Sequence, residues 1–140
     1  MKDLLALLRC KNPPASVMFP KINNSEEVAL IDDLFEDFDV PTRIQIIIET
    51  NPGLEAAFEI AKQSNRTDAL FFGGVDMAAE LRCSFDWDAL SYARSRVVHA
   101  AAAAELDVLD VPFLDLSDLK GLKQEALKAK TLGFTGKGAI

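Results

Sequence analysis

Strand-like runs return along this chain at nearly constant intervals, and that spacing constrains the fold more than any other feature. Short apolar runs rich in β-branched or aromatic residues begin near residues 17, 43, 69, 107 and 134, giving intervals of 26, 26, 38 and 27. The segments between them have helical periodicity. Asn24 or Ser25 starts a helix carrying Val28, Ile31, Leu34, Phe35 and Phe38 on one face. Residues 54–63 follow the second run, with Leu54, Ala57, Phe58 and Ala61 on one face, and 77–81 follow the third. A long helix is predicted over 88–106 and another from Ser117 and Asp118 to 130. Ahead of the first run, residues 1–8 are helical in composition, and Asn12-Pro13-Pro14 stops them.

Alternating strand and helix predicts parallel strands with right-handed crossovers. Near-equal units favour a (β/α) barrel over a doubly wound sheet, whose first βα turn usually carries a glycine-rich phosphate fingerprint. The one Gly-Gly segment, Gly73-Gly74-Val75-Asp76, is not that fingerprint. The expected architecture is a single α/β domain over residues 1–140, of TIM-barrel type but incomplete. It has about five parallel βα units, whereas a full barrel has eight units and roughly 250 residues. Such a piece exposes strand edges and an apolar interior, so the chain is expected either to be part of a longer protein or to complete itself by association, as a homo-oligomer or with another chain.

Composition excludes several functions. The net charge is −7 and no basic cluster occurs, which argues against nucleic acid. No apolar run is long enough to span a membrane, and the N-terminal residues lack a secretory signal pattern. Cys10 and Cys83 do not make a disulfide framework; free thiols and a cytoplasmic location are expected.

The chemistry is expected at the strand ends, which share one face in a barrel. Polar residues at or after those ends are Lys21, Glu49, Asp76, Asp115 and Lys137. Glu49 ends the Ile44-Gln45-Ile46-Ile47-Ile48 run, and Asp76 follows Phe71-Phe72-Gly73-Gly74-Val75. Two carboxylates from adjacent strands are a typical way to hold Mg²⁺ beside waters and substrate oxygens. A chain with one His is poorly equipped for Zn²⁺. Simpler roles stand beside these. Glu49 could cap a helix, Asp76 could be the N-cap of 77–81, and Lys21 and Lys137 could be ion-paired. Arg94 and Arg96 could be solvated or paired with acids, Trp87 could be packing, and Asp115 and Asp118 turn and cap residues.

Several segments, in order, resemble one known family: Phe19-Pro20-Lys21-Ile22, Ile48-Glu49-Thr50, Phe72-Gly73-Gly74-Val75-Asp76-Met77-Ala78, Tyr92-Ala93-Arg94-Ser95-Arg96-Val97-Val98 and Gly133-Phe134-Thr135-Gly136-Lys137-Gly138-Ala139-Ile140. Together they resemble the HpcH/HpaI aldolase and citrate lyase family, on the branch of the citrate lyase beta subunit and malyl-CoA lyase. The resemblance implies strands four to eight of a TIM barrel and a Mg²⁺-dependent carbon–carbon lyase. Its substrate would be a 3-hydroxy-acyl thioester of CoA or an acyl carrier, cleaved to an acetyl thioester and a 2-oxo acid. By position, Glu49 and Asp76 would be the metal ligands, and Gly73, Gly74, Pro112 and Phe113 would contact substrate. No catalytic residue is assigned. The family's first three strands, with a substrate-holding arginine, and its C-terminal lid have no counterpart here. Two alternatives remain: a class II aldolase on free hydroxy acids, and a non-catalytic metal-binding barrel fragment.

Overall fold

A computed structural model describes residues 2–140, with side chains from Leu4 onward; of the helical segment expected over 1–8, Met1 lies outside the described residues. Five strands, β1 (Ser16–Phe19), β2 (Arg43–Ile48), β3 (Thr67–Phe72), β4 (Asp107–Asp110) and β5 (Gly136–Lys137), form one sheet. All neighbouring pairs are parallel and the strand order is the chain order. A sheet without a reversal in strand order turns each crossover the same way. That is the winding of a barrel wall, and it is what near-equal βα units predict.

Alternation along the strands separates two faces. Ile44, Ile46 and Ile48 of β2, Leu70 and Phe72 of β3 and Val108 of β4 are buried beneath the helices. The register carries each row across the sheet, as in Phe19, Ile46, Leu70 and Val108. Each such side chain contributes about 1.5–3 kcal/mol when fully buried. On the opposite face Met18, Ile47, Phe71 and Leu109 stay partly open to solvent, and β1 and β5 are outermost in the sheet. These are the exposed interior and strand edges expected of a partial barrel.

The helices are α1 (Lys2–Leu8), α2 (Ser25–Asp37), α3 (Asn51–Glu55), α4 (Ala57–Lys62), α5 (Gly74–Leu81), α6 (Ser91–Ala103) and α7 (Leu119–Leu132). Asn24 caps α2 by accepting from the Glu27 backbone N–H at 3.0 Å, and Glu27 accepts from the Asn23 backbone N–H at 2.9 Å. This resembles a capping box, except that the glutamate reaches back to the residue before the cap.

Some boundaries differ from the sequence expectation. The helical backbone begins before residue 54: Asn51-Pro52-Gly53 forms the first turn of α3, because Thr50 caps it and Pro near a helix start gives up no hydrogen bond. The helix expected over 54–63 breaks at Ala56 into α3 and α4, and Phe58 faces solvent while Ile60 is buried in its place. The helix expected over 88–106 is shorter, as α6. Arg96 helps end α3 by donating to the Leu54 and Glu55 carbonyls at 3.0 and 2.7 Å.

Candidate functional site

Three strand-end loops are fastened side by side. The Thr50 hydroxyl donates to Asn23 Oδ1 at 2.8 Å and accepts from the Gly53 N–H at 3.1 Å. A Cβ on Gly53 would collide with the Ile22 carbonyl oxygen, so only glycine lets the β2 loop lie against the β1 loop. Gly73 has the same function one strand further on. Its N–H donates to the Ile48 carbonyl at 3.0 Å. A Cβ there would stand 2.5 Å from Glu49 Cβ and 2.6 Å from Glu49 Oε2.

These loops bring Lys21, Glu49 and Asp76 together. The Lys21 backbone N–H donates to Glu49 Oε1 at 3.0 Å, and its ammonium donates to Asp76 Oδ1 at 2.9 Å. Lys21 therefore engages one oxygen of each carboxylate. Glu49 is 6% exposed, whereas the Lys21 and Asp76 side chains are 63% and 50% exposed. Burial pushes the Glu49 carboxyl above its ordinary range; the Asp76 charge adds to that, and the Lys21 N–H and ammonium oppose it. Lys21 is raised chiefly by its hydrogen bond to Asp76 and then by that carboxylate's charge. Asp76 is not the N-cap of its helix. Gly73 takes that position, and Asp76 lies in the first turn of α5, where an acid suits the helix dipole.

Glu49 and Asp76 stand on the rim of a hollow of about 600 Å³. Met18, Ile47, Phe71 and Leu109 form its apolar wall, and Gly73 and Pro112 complete the rim. Gly74 and Phe113, expected beside them, are not in this lining. Gly74 is closed in by Phe72, Val111 and Phe85, and the Phe113 ring lies against Gly121. Asp115, expected at a strand end, is an exposed turn residue that accepts from the Ser117 N–H and hydroxyl at 3.0 and 2.6 Å.

The acid that does end β4 is Asp110, which the sequence reading passed over. It is fully buried, accepting from Arg94 Nε at 3.0 Å and from Lys137 Nζ at 2.8 Å. Lys137 also donates to the Val111 carbonyl and to Glu125, each at 2.7 Å. The Arg94 guanidinium lies 4.9 Å from the Phe72 ring centre and 4.5 Å from that of Trp87. One signal could have found this cluster. Arg94 falls on the stripe of Ala93, Val97, Ala100 and Ala101 that α6 buries, and a buried arginine requires an acid opposite it.

The residues present suit a hard divalent cation. Two carboxylates meet the same lysine, Glu49, nearly buried, at its backbone N–H and Asp76 at its ammonium. Among the described residues there is no group of three or more His, Cys, Asp and Glu that could hold a metal. A pair of this kind leaves the remaining positions to water and substrate oxygens, the usual arrangement for Mg²⁺. Gly73→Ala is expected to lower stability by about 1–3 kcal/mol through overpacking and to push Glu49 off this point. Thermal melts and ion titration of the variant would check both.

Comparison with known proteins agrees with the fold and the motifs. The sequence model of HpcH/HpaI aldolase/citrate lyase matches residues 2–140. Citramalyl-CoA lyase, mitochondrial, from Mus musculus is 30% identical over 154 aligned residues, covering 99% of this chain and 46% of that protein. The chain thus spans about half the length of this curated relative. Among solved structures, RipC from Yersinia pestis superposes with a TM-score of 0.94 at 36% identity, covering 99% of this chain and 64% of that one. The citrate lyase beta subunit from M. tuberculosis, complexed with oxaloacetate and magnesium, gives 0.81 at 28% identity, with 99% and 60% covered. Among the described residues, no helix is long and apolar enough to cross a membrane.

Proposed function

The chain belongs to the HpcH/HpaI aldolase/citrate lyase family, and from that premise we propose that it is a Mg²⁺-dependent carbon–carbon lyase unit acting on a 3-hydroxy-acyl thioester. The products would be an acetyl thioester and a 2-oxo acid. The observation that carries this reading is that Glu49 and Asp76 both meet Lys21 at the rim of an apolar hollow, Glu49 at its backbone N–H and Asp76 at its ammonium.

Glu49 and Asp76 would hold the ion. When bound, Mg²⁺ supplies fixed positive charge for the oxygens of the 2-oxo acid. The chain's own residues shape the rest. Gly73 leaves room for the Glu49 carboxylate beside its backbone, and Gly73 and Pro112 would line the place of the small acid at the rim. Ile47, Phe71 and Leu109 give the hollow an apolar lining, which would exclude water, and so strengthen the charge interactions at the rim, once the remaining barrel walls cover it. Gly74 acts indirectly, by letting β3 and the Val111 segment close up behind the rim. Phe113 supports the Gly121 turn. Residues 1–140 would be one partial barrel domain, at work in the cytoplasm. β1 and β5 are the outermost strands among the described residues, and the walls that would cover them would come from a longer protein, a homo-oligomer or another chain.

Two experiments test this. Calorimetry with Mg²⁺ and oxaloacetate is expected to show binding in the parent and none in Glu49→Ala or Asp76→Ala; binding retained in both variants would sink the metal assignment. Light scattering is expected to show association, and a monodisperse monomer with a cooperative melt would contradict completion by other chains.

A further inference from the structure

Lys21 differs from an ordinary surface lysine in two respects. Its backbone is left-handed, with φ 56°, a conformation that side-chain-bearing residues avoid and that clusters at functional sites. That turn also aims its two polar ends at different carboxylates, the N–H at Glu49 Oε1 and the ammonium at Asp76 Oδ1. The turn is held from both sides: Ile22 lies against Gly53, and Asn23 bonds to Thr50 and Glu27.

We propose that Lys21 is a built-in counter-ion that a divalent cation must displace from Asp76, and that it thereby makes ion binding depend on the anionic substrate. This rests on the reading that Glu49 and Asp76 hold the ion. Asp76 Oδ1 cannot keep an ammonium at 2.9 Å and also present itself fully to a divalent ion. The two positive charges repel at that range. Displacement is feasible because the Lys21 side chain is 63% exposed and can swing on its four-carbon stem. Its backbone N–H stays in place and keeps Glu49 aimed at the same point. The ammonium then stands at the rim, where an incoming carboxylate compensates its charge. The ion alone binds weakly, and the ion with an anionic acid binds well.

The test is titration with Mn²⁺ alone, and with Mn²⁺ plus oxaloacetate, read by the paramagnetic resonance of the free ion. Lys21→Met is expected to bind Mn²⁺ alone on the order of tenfold more tightly, the repulsion between an ammonium and a divalent ion about 5 Å apart in water. The gain from added oxaloacetate should shrink in the same variant. Lys21→Gly keeps the N–H and suits the left-handed turn, so it should repeat the result if Lys21→Met folds poorly. Lys21→Arg should behave as the parent. Unchanged or weaker Mn²⁺ binding in both Lys21→Met and Lys21→Gly overturns the proposal. If Glu49→Ala abolishes binding at the same time, the metal site itself stands. If no form binds Mn²⁺, the counter-ion role and the metal site fall together.

Discussion

Asp110→Ala is expected to lower the unfolding free energy by about 3–5 kcal/mol, the usual loss when one partner of a buried ion pair is removed. Asp110 and Arg94 are 0% and 2% exposed. Deleting the carboxylate leaves a guanidinium enclosed by Phe72 and Trp87 with no anion. Its Nη1 already lacks a hydrogen-bond partner, so the site has no spare acceptor to offer. Lys137 is hurt less, since Glu125 and the Val111 carbonyl still bind it. The melting temperature should fall by on the order of 10 °C or more. A loss below about 1 kcal/mol would mean the pair is solvated rather than buried. Combining Asp110→Leu with Arg94→Met should recover most of the loss, because an apolar replacement of a buried pair is often neutral. A double-mutant cycle in urea measures that coupling directly. The pair also bears on the site. Asp110 joins β4 to β5 through Lys137 just behind Val111 and Pro112, so it fixes the wall of the hollow without touching what binds there.

The barrel-type winding was legible because it follows from spacing alone: near-equal βα units give a sheet whose order is the chain order. Glu49 was legible because an acid directly after a β-branched run sits at a strand's open end. Asp76 was found by the same logic, although its helix begins at Gly74 and makes it a first-turn acid rather than a cap. Asp110 was not legible from its own strand. An acid among Val108, Leu109 and Val111 has the pattern of a strand end with solvent near it, as Asp115 does. Its burial is set by partners 16 residues earlier and 27 later, Arg94 and Lys137. Those contacts exist only once the crossovers place α6 and β5 beside β4. Phe113 and Gly74 lie outside the hollow's lining for a related reason. Position after a strand end brings a residue near the rim, but the local turn decides whether it faces the hollow or the body of the domain. The lysine at the rim was legible as a charge. Its contact with both carboxylates was not, because that depends on a left-handed backbone that lysine seldom adopts.

Glu49→Gln is expected to act in two opposite directions. Divalent-cation binding should weaken by on the order of a hundredfold or more, since even the outer partners of a metal ligand are worth about 10–100-fold. Stability in the presence of a chelator should instead rise at neutral pH, within the range of about 0.5–2 kcal/mol that single stabilising substitutions reach. The amide keeps an oxygen for the Lys21 N–H and removes a buried charge that faces Asp76. The pH dependence fixes the sign. Glu49 has its carboxyl raised by burial first and by Asp76 second, so the fold favours the protonated form. The stability it contributes is complete below the ordinary glutamate range and is lost as pH rises through its higher folded value. Glutamine does not titrate. The two proteins should therefore melt together near about pH 4, with the variant moving ahead as pH rises to about 7. A variant less stable than the parent at neutral pH would show that Glu49 is held as a satisfied anion by Lys21, and not as a strained one awaiting a stronger cation. The predicted gain is the mark of a residue kept for what it binds, at some expense to the fold that presents it.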